Sequence, residues 1–259
     1  MYIGAIDVGG TKTMAGVVDE RGRLLAKAQF PTLTADPNAH FSRCAQLLRQ
    51  VADQCGVPFG QLAGVGVSLP GTVDASHQVL TMAPGSGWRG IPAAQLLREQ
   101  LEGKPLWCDN DVNNCARAEL RFARGPADFL WITVSTGIGG AVVAGGRVVL
   151  GCGSLAGELG HYKVETQDPL PCPCGSAGCL EACASGAAIG RQFARLAQED
   201  PETGRLAEEQ GGPLDAAGCA ALAQLGHPAA LALFQQAGRY LGRTLAPVVS
   251  VLNPAAIYF

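Results

Sequence analysis

Residues 157–161 read Gly-Glu-Leu-Gly-His, and residues 172–181 read Cys-Pro-Cys-Gly-Ser-Ala-Gly-Cys-Leu-Glu. One histidine and three cysteines therefore lie at close spacing with small residues between them, which is the ligand set of a closed tetrahedral zinc site. The predicted zinc ligands are His161, Cys172, Cys174 and Cys179. Two carboxylates, Glu158 and Glu181, bracket these ligands, and we expect the metal to hold them in place for binding a polar small molecule.

Disulfide bonds or unrelated buried cysteines are the alternative interpretation of the same residues. No secretory leader precedes the first predicted strand, so we expect a cytoplasmic protein, in which lasting disulfides are rare. Cys172 and Cys174 are also too close in sequence to bridge each other easily. Ligand type, spacing and compartment favour zinc, with Cys152 and Cys183 as weaker candidates for ligands.

The composition limits the classes of function. The 259 residues are 47% hydrophobic and 16% charged, with a net charge of -3. This length allows one large domain or two modest ones. The charge gives no basic surface for nucleic acid, and the sequence has no run of about 18 apolar residues that would predict a membrane span. Few charges and 35 glycines fit an α/β enzyme whose backbone closely approaches a ligand.

Two loops share a plan of strand, hydroxyl-glycine turn and strand. The first, at 7–13, reads Asp-Val-Gly-Gly-Thr-Lys-Thr, and the second, at 135–140, reads Ser-Thr-Gly-Ile-Gly-Gly. Glycine residues lack the Cβ that would block approach, so the backbone N–H groups of such loops can bind phosphates. Taken alone, the first loop is equally typical of an ordinary hairpin turn. Its repetition favours a nucleotide site in a duplicated fold.

The first loop also supplies side chains suited to a nucleotide. Asp7, at the end of a strand, is a candidate to hold Mg²⁺ directly or through water, and Thr11 and Lys12 add a hydroxyl and a cation. A strand follows the loop, so it is neither a Walker loop nor a Rossmann fingerprint. The predicted nucleotide-binding residues are Asp7, Gly9, Gly10, Thr11, Lys12, Ser135, Thr136, Gly137, Gly139 and Gly140.

A polar cluster lies between the two loops. Residues 105–116 run from an apolar strand through Asp-Asn-Asp-Val-Asn-Asn into a helix-like stretch. Polar groups at a strand end before a helix face a ligand cleft in α/β folds. A helix cap by Asp109 or Asn110 would explain one or two of these residues, but not the whole set. We predict that Asp111 is a general base, which accepts the proton of an attacking hydroxyl.

Together these motifs resemble the ROK family (repressor, open reading frame, kinase) of the actin-like ATPase superfamily. The resemblance extends from Tyr2 to Phe259, with the first loop, Asn110-Asp111, the second loop and the histidine-cysteine motif in the family's order. It implies an α/β fold of two ribonuclease-H-like domains around a central cleft, which we place at 1–116 and 117–259. It also implies ATP-dependent phosphorylation of a hexose or N-acetylhexosamine, usually at the 6-hydroxyl, with ATP, Mg²⁺ and Zn²⁺ as cofactors.

The resemblance also assigns roles to individual residues. Asp111 matches the family's catalytic base. His161 matches a residue that binds zinc through one ring nitrogen and the sugar through the other. The turn at 70–74 resembles the family's Pro-Gly turn near the sugar, although a plain turn explains it equally well. The residues implied to bind the sugar are Gly71, Asn110, Glu158, His161 and Glu181.

Two departures from the family limit these expectations. Ser86-Gly87 lies where many family glucokinases have Asn before Gly-Trp, so glucose, N-acetylmannosamine and N-acetylglucosamine all stay open. The family's adenosine-contacting tail would follow Phe259, so we expect the adenine side to be incomplete. The alternative function is therefore a non-catalytic, zinc-stabilised sugar-binding or sugar-sensing protein. Family repressors carry a helix-turn-helix ahead of the first loop, for which there is no room here, so we expect no nucleic-acid partner.

Hydrophobic periodicity predicts the remaining elements. The last predicted helix has an apolar face that is typical either of core packing or of a homodimer contact, and Pro247 is expected to interrupt it. A loop is expected at 210–215. The predicted strands include 129–134, and the predicted helices are 39–54, 91–101, 185–198, 215–225 and 228–251.

Overall fold

A computed structural model describes residues 1–74, 76, 78–209 and 212–259. The chain divides into two compact units. The first consists of Met1–Gly125 with Gly146–Ala156, and the second of Pro126–Gly145 with Gly157–Phe259. The sequence-based division after residue 116 falls inside a helix, Asp111–Phe122.

The first unit contains one mixed sheet and one small antiparallel sheet. The five-stranded sheet has the order β3-β2-β1-β4-β8, and the three-stranded sheet has the order β5-β6-β7. The elements are β1 (Tyr2–Val8), β2 (Lys12–Asp19), β3 (Leu24–Pro31), α1 (Pro37–Gln54), β4 (Leu62–Leu69), β5 (Thr72–Asp74), β6 (Val79–Ala83), β7 (Trp88–Ile91), α2 (Ala93–Gln100), β8 (Leu106–Asn110) and α3 (Asp111–Phe122).

Helix α1 covers the five-stranded sheet because it carries an apolar stripe at helical spacing. Phe41, Leu48 and Val51 of this helix are fully buried, and they join Ile6 and Val67 of the sheet in one hydrophobic core. Asp36 begins the helix by accepting hydrogen bonds from the backbone N–H groups at the first turn. The strands β1, β4 and β8 are parallel, so their carboxyl ends lie along one edge.

Among its described residues, the second unit combines a smaller sheet with five α-helices. Strand β9 pairs antiparallel with β10 and parallel with β12. Leu130 and Ile132 of β9 pack with Val142 of β10 and Leu245 of the last helix. The elements are β9 (Phe129–Val134), β10 (Ile138–Ala144), β11 (Arg147–Val149, in the inserted segment of the first unit), α4 (Leu180–Ala184), α5 (Gly186–Glu199), α6 (Pro201–Glu209), α7 (Ala216–Gln224), α8 (Pro228–Leu252) and β12 (Ala256–Tyr258).

Helix α8 differs from the sequence expectation in one respect. Pro247 was expected to interrupt it, but the helix is continuous from Pro228 to Leu252, so that prediction is wrong. Leu245 of this helix contributes to the core, whereas Val251 is 81% exposed. The predicted homodimer contact on this helix stays a prediction. The loop expected at 210–215 falls partly on residues 210 and 211, which lie outside the described residues.

Within the described ranges, no single helix is long and apolar enough to cross a membrane. Of the helices in that part of the chain, α7 and α8 satisfy the criteria of length and composition when taken together, as a pair bent by 116°.

Candidate active site and metal centre

The parallel strands of the first unit bring three polar residues into one row. The pairing register places Asp7 of β1 opposite Ser68 of β4, and Ser68 opposite Asp109 of β8. Asn110 and Asp111 follow directly, at the junction of β8 and α3. Two residues that are distant in sequence, Asp7 and Asp111, therefore lie at the same sheet edge.

The environment of Asp111 raises its pKa. Loss of hydration around the carboxyl group is the largest cause, and the negative charge of Asp7 adds to it, while a hydrogen bond from the Val112 N–H opposes the shift. That N–H donates to Oδ1 at 2.9 Å. A hydrogen bond from the backbone N–H of Asp111 itself also opposes the shift in pKa. Asp111 is nevertheless exposed, so its carboxyl group is accessible to a ligand.

Asp7 has a similar environment. Loss of hydration raises its pKa, and the nearby Lys12 ammonium opposes this shift. Cys115, one turn along α3 from Asp111, also has a raised pKa, because its thiol loses hydration and lies near the charges of Asp111 and Asp7, although the residue is exposed. The charge of Lys12 thus affects the pKa of Asp7, and the charge of Asp7 affects the pKa of Asp111.

Asn110 is a helix cap, which was the structural alternative to a binding role. Its Oδ1 accepts from the N–H groups of Val112 and Asn113 at 2.9 and 3.2 Å, so it begins α3. Its Nδ2 donates to the carbonyl of Gly71 at 2.7 Å. The structure thus joins two of the predicted sugar-binding residues, Asn110 and Gly71, through one hydrogen bond.

Gly71 cannot be replaced without strain. Its φ is +81°, which is unfavourable for residues with a Cβ, and an added Cβ would overlap the carbonyl oxygen of Met82. We expect Gly71→Ala to lower the free energy of unfolding by about 2–4 kcal/mol, as measured by urea denaturation.

The matched control is Gly85→Ala, because an added Cβ at Gly85 meets no atom within 4 Å. We expect this control to stay within about 1 kcal/mol of the wild type. Equal free energies of unfolding for Gly71→Ala and Gly85→Ala would contradict the strain expected from a Cβ at Gly71.

An ion pair between the buried Asp109 and the partly exposed Arg117 supports the polar cluster, and it was not predicted from the sequence. Asp109 is 1% exposed and accepts from the Asn110 N–H at 2.7 Å, from Asn113 Nδ2 at 3.0 Å and from Arg117 Nη2 at 2.7 Å. Arg117 also lies over the ring of Trp107. The spacings of four and eight residues from Asp109 are the available sequence signal, because they place these partners on one face of α3.

Thr32 fixes the backbone of the first glycine loop through two hydrogen bonds. The Gly9 N–H donates to the Lys12 carbonyl at 3.0 Å and closes the turn. Thr32 donates its hydroxyl to the Gly9 carbonyl at 2.7 Å and its N–H to the Thr11 carbonyl at 3.0 Å. Gly10, Thr11 and Lys12 are exposed, so this loop offers backbone and side-chain donors to solvent.

The second glycine loop lies between β9 and β10 and is tied to the helices that follow the cysteine motif. The Gly186 and Ala187 N–H groups, at the start of α5, donate to the carbonyls of Ser135 and Thr136 at 2.8 and 3.3 Å. Within the loop, the Ser135 N–H donates to the Gly137 carbonyl at 2.9 Å. Ser135 and Thr136 are exposed.

The predicted metal ligands come together in the second unit. One ligand atom from each of His161, Cys172, Cys174 and Cys179 lies within 4.8 Å of all the others. The Cys172 Sγ to His161 Nδ1 distance is 3.7 Å, and the Cys174 Sγ to Cys179 Sγ distance is 3.8 Å. The edges of a tetrahedral zinc site with sulfur and nitrogen ligands are roughly 3.5–3.8 Å, so this donor set fits such an ion.

The thiols of this cluster differ in acidity, because hydrogen bonds from Ser176 and the neighbouring thiols outweigh burial and lower the pKa of Cys174, whereas the pKa of Cys172 is raised. All ten cysteines of the chain are free in this structure. Burial raises the pKa of Cys172 to about 12. Lys163 Nζ donates to Cys179 Sγ at 3.0 Å, and that hydrogen bond raises the pKa of Lys163. Neither Cys152 nor Cys183 belongs to the cluster.

His161 presents its two ring nitrogens to different partners. Nδ1 faces the cysteine cluster, whereas Nε2 lies 3.9 Å from Oε2 of Glu158. A ring held in this way can bind a metal through one nitrogen and keep the other for a polar ligand. Glu181 lies two residues beyond Cys179 on α4, and its Oε2 accepts from the Ile138 N–H at 2.9 Å.

Comparison with known proteins identifies the family. The profile of the ROK family matches residues 3–259. The chain belongs to the ROK family. It is 33% identical to the glucokinase of Streptomyces coelicolor over 261 residues, which cover 97% of this chain and 78% of the relative. The N-acetylmannosamine kinase of Shigella flexneri is 35% identical over 192 residues, covering 73% of this chain and 63% of that protein.

A solved structure supports the same membership and the fold. The ROK family glucokinase from Streptomyces griseus, crystallised in complex with glucose and AMPPNP, has 30% identity and a TM-score of 0.83. The match covers 99% of this chain and 82% of that one. The ROK-family chain described here thus has the α/β, actin-like ATPase fold with mixed sheets, and it is a sugar kinase.

Proposed function

We propose that this ROK-family kinase transfers the γ-phosphoryl group of ATP to the 6-hydroxyl of a hexose or N-acetylhexosamine, with Asp111 as general base. The observation that carries the proposal is the position of Asp111 after β8, at the same sheet edge as Asp7 and the first glycine loop. Its raised pKa and its exposure suit a group that accepts a proton from a hydroxyl. The glucokinase and N-acetylmannosamine kinase relatives support the substrate class.

The two glycine loops are proposed to bind the triphosphate of ATP. Their exposed donors support this assignment, because oriented backbone N–H groups, hydroxyls and an ammonium group stabilise phosphate oxygens. Asp7 would hold Mg²⁺, which neutralises part of the triphosphate charge when bound. The loop residues proposed for this role are Gly9, Gly10, Thr11, Lys12, Ser135, Thr136, Gly137, Gly139 and Gly140.

The sugar is proposed to be bound by Asn110, Glu158, His161 and Glu181, with Gly71 fixing the Asn110 amide. Carboxylates accept hydrogen bonds from sugar hydroxyls, and an imidazole nitrogen accepts or donates one, so these groups together would hold several hydroxyls at once. Asn110 Oδ1 already accepts two backbone N–H groups, so its contribution to the sugar is expected to be smaller than that of the carboxylates.

The cysteine cluster is proposed to hold a structural Zn²⁺. The observed distances between its donor atoms support tetrahedral coordination by four protein ligands, which leaves no open position for a substrate. The ion would cross-link His161 to the segment 172–179 and ionise the three thiols. Its role in the reaction is therefore limited to holding protein side chains.

The pH dependence of the reaction follows from the pKa of Asp111. A general base acts in its deprotonated form, so kcat/KM should fall as the pH falls through the pKa of Asp111, by about tenfold per pH unit below it. This pKa lies above the ordinary value of 3.8. We expect the acidic limb in the wild type and no such limb in the residual activity of Asp111→Asn. The same limb in both proteins would assign it to another group.

The position of the phosphoryl group in the product tests the proposed reaction. Wild-type protein is incubated with Mg-ATP and glucose, N-acetylmannosamine or N-acetylglucosamine, and the products are analysed by ³¹P–¹H correlation NMR. We expect a 6-phosphate from at least one sugar and no phosphorylation of the matching 6-deoxy sugar. A phosphate ester on another hydroxyl would contradict the proposed acceptor position.

A further inference from the structure

One carboxylate connects the cysteine motif to the second glycine loop. Glu181 Oε2 accepts from the backbone N–H of Ile138 at 2.9 Å, across 43 residues of sequence. An added Cβ at Gly137 would overlap this same oxygen. The carboxylate therefore occupies the space beside Gly137 and bonds to the next residue of the loop.

The segment that carries Glu181 holds the loop at two further points. The N–H groups of Gly186 and Ala187 donate to the carbonyls of Ser135 and Thr136. Glu181 and these two donors belong to one continuous segment, because α4, which carries Glu181, ends at Ala184 and α5 begins at Gly186. The Ser185 hydroxyl accepts from the Ala188 N–H at 3.1 Å and fixes this junction.

We infer that Glu181 is a positioning residue for nucleotide binding, in addition to its proposed contact with the sugar. The inference rests on the proposed function, in which the second glycine loop binds phosphate. A loop fixed in advance at Ser135, Thr136 and Ile138 loses less conformational freedom when an anion binds, so the anion binds more tightly. Among the hydrogen bonds that hold the loop, the one to Glu181 has a charged acceptor, and such bonds are stronger than those between neutral groups.

A positioning role and a purely sugar-binding role of Glu181 predict different effects on the affinity for nucleotide. A residue that contacts only the sugar changes the affinity for sugar and leaves the affinity for nucleotide unchanged. A residue that positions the loop changes the affinity for nucleotide even when no sugar is present. Glutamine at this position keeps an oxygen that can accept from the Ile138 N–H, whereas leucine does not.

The test is the Kd of Mg-ADP, measured by calorimetry without sugar, for wild type, Glu181→Gln and Glu181→Leu. We expect Glu181→Leu to weaken ADP binding about tenfold, and Glu181→Gln to stay within about threefold of wild type. The control pair is Glu199→Gln and Glu199→Leu, at an exposed position of α5, where no change is expected.

Glu181→Asp guards against a folding defect in the leucine variant. It keeps the negative charge but is one methylene shorter and no longer reaches the Ile138 N–H, so we expect about tenfold weaker ADP binding with unchanged metal content. If Glu181→Leu loses its metal or fails to fold, Glu181→Asp decides the question. Wild-type ADP affinity in Glu181→Asp, or in a folded Glu181→Leu, overturns the inference. A wild type that binds no ADP contradicts the proposed function itself.

Discussion

Asp111→Asn is expected to lower kcat about 10²–10⁴-fold, which is the usual contribution of a general base. Asparagine has nearly the same shape as aspartate, and its oxygen can still accept from the Val112 N–H, so α3 should begin as in the wild type. The affinities for ADP and sugar should change by less than about threefold, because the base acts mainly in the transition state. Steady-state kinetics and calorimetry measure the two quantities separately.

The control for this variant is Asp53→Asn, at an exposed position near the end of α1. It removes one negative charge from the same unit and should leave kcat unchanged. Two results would contradict the role of Asp111. One is a kcat within about tenfold of wild type; the other is a loss of activity caused by a matching loss of sugar affinity.

Cys179→Ser is expected to remove the proposed zinc ion and to destabilise the second unit. Cys179 is fully buried and directly precedes α4, so loss of its thiolate leaves three ligands and an unsupported helix start. Structural zinc contributes free energy to folding, and we expect Tm to fall by roughly 10 °C. Metal analysis should show close to one zinc ion per chain in the wild type and far less in the variant.

The control is Cys183→Ala, four residues further along the chain. Cys183 is also buried, but it does not belong to the group of ligand atoms. We expect Cys183→Ala to keep its zinc and to lose less stability than Cys179→Ser. Equal zinc content in Cys179→Ser and wild type would exclude this residue as a ligand.

Local patterns predicted many of the elements well. The strand at 129–134 has the predicted bounds, because six strongly apolar or β-branched residues are followed by a hydroxyl-glycine turn. Helices α5 and α8 also begin within one residue of their predicted starts. By contrast, the small sheet β5-β6-β7 and helix α6 were not predicted. The strands of that sheet have three to five residues, too few to show a clear alternation.

Local sequence patterns also predicted part of the candidate site. Ligand types at short spacing identified the four members of the cysteine cluster, which the structure brings together. The capping role of Asn110 was also foreseen as an alternative. Contacts between distant segments were not predictable, because no local pattern reports that Glu181 meets Ile138 or that Thr32 meets Gly9. Such contacts depend on how strands and helices pack, which a single sequence does not specify residue by residue.

The most direct test of the central claim is ADP release by the wild-type protein with Mg-ATP, in the presence and absence of each of the three sugars. The account predicts ADP release that depends on one of these sugars, with at least tenfold slower release when no sugar is present, because the hydroxyl deprotonated by Asp111 belongs to the sugar. ADP release at the same rate with and without sugar, or none with any of the three in a folded, zinc-loaded protein, would contradict it. The second of these results would favour a protein that binds sugar without phosphorylating it.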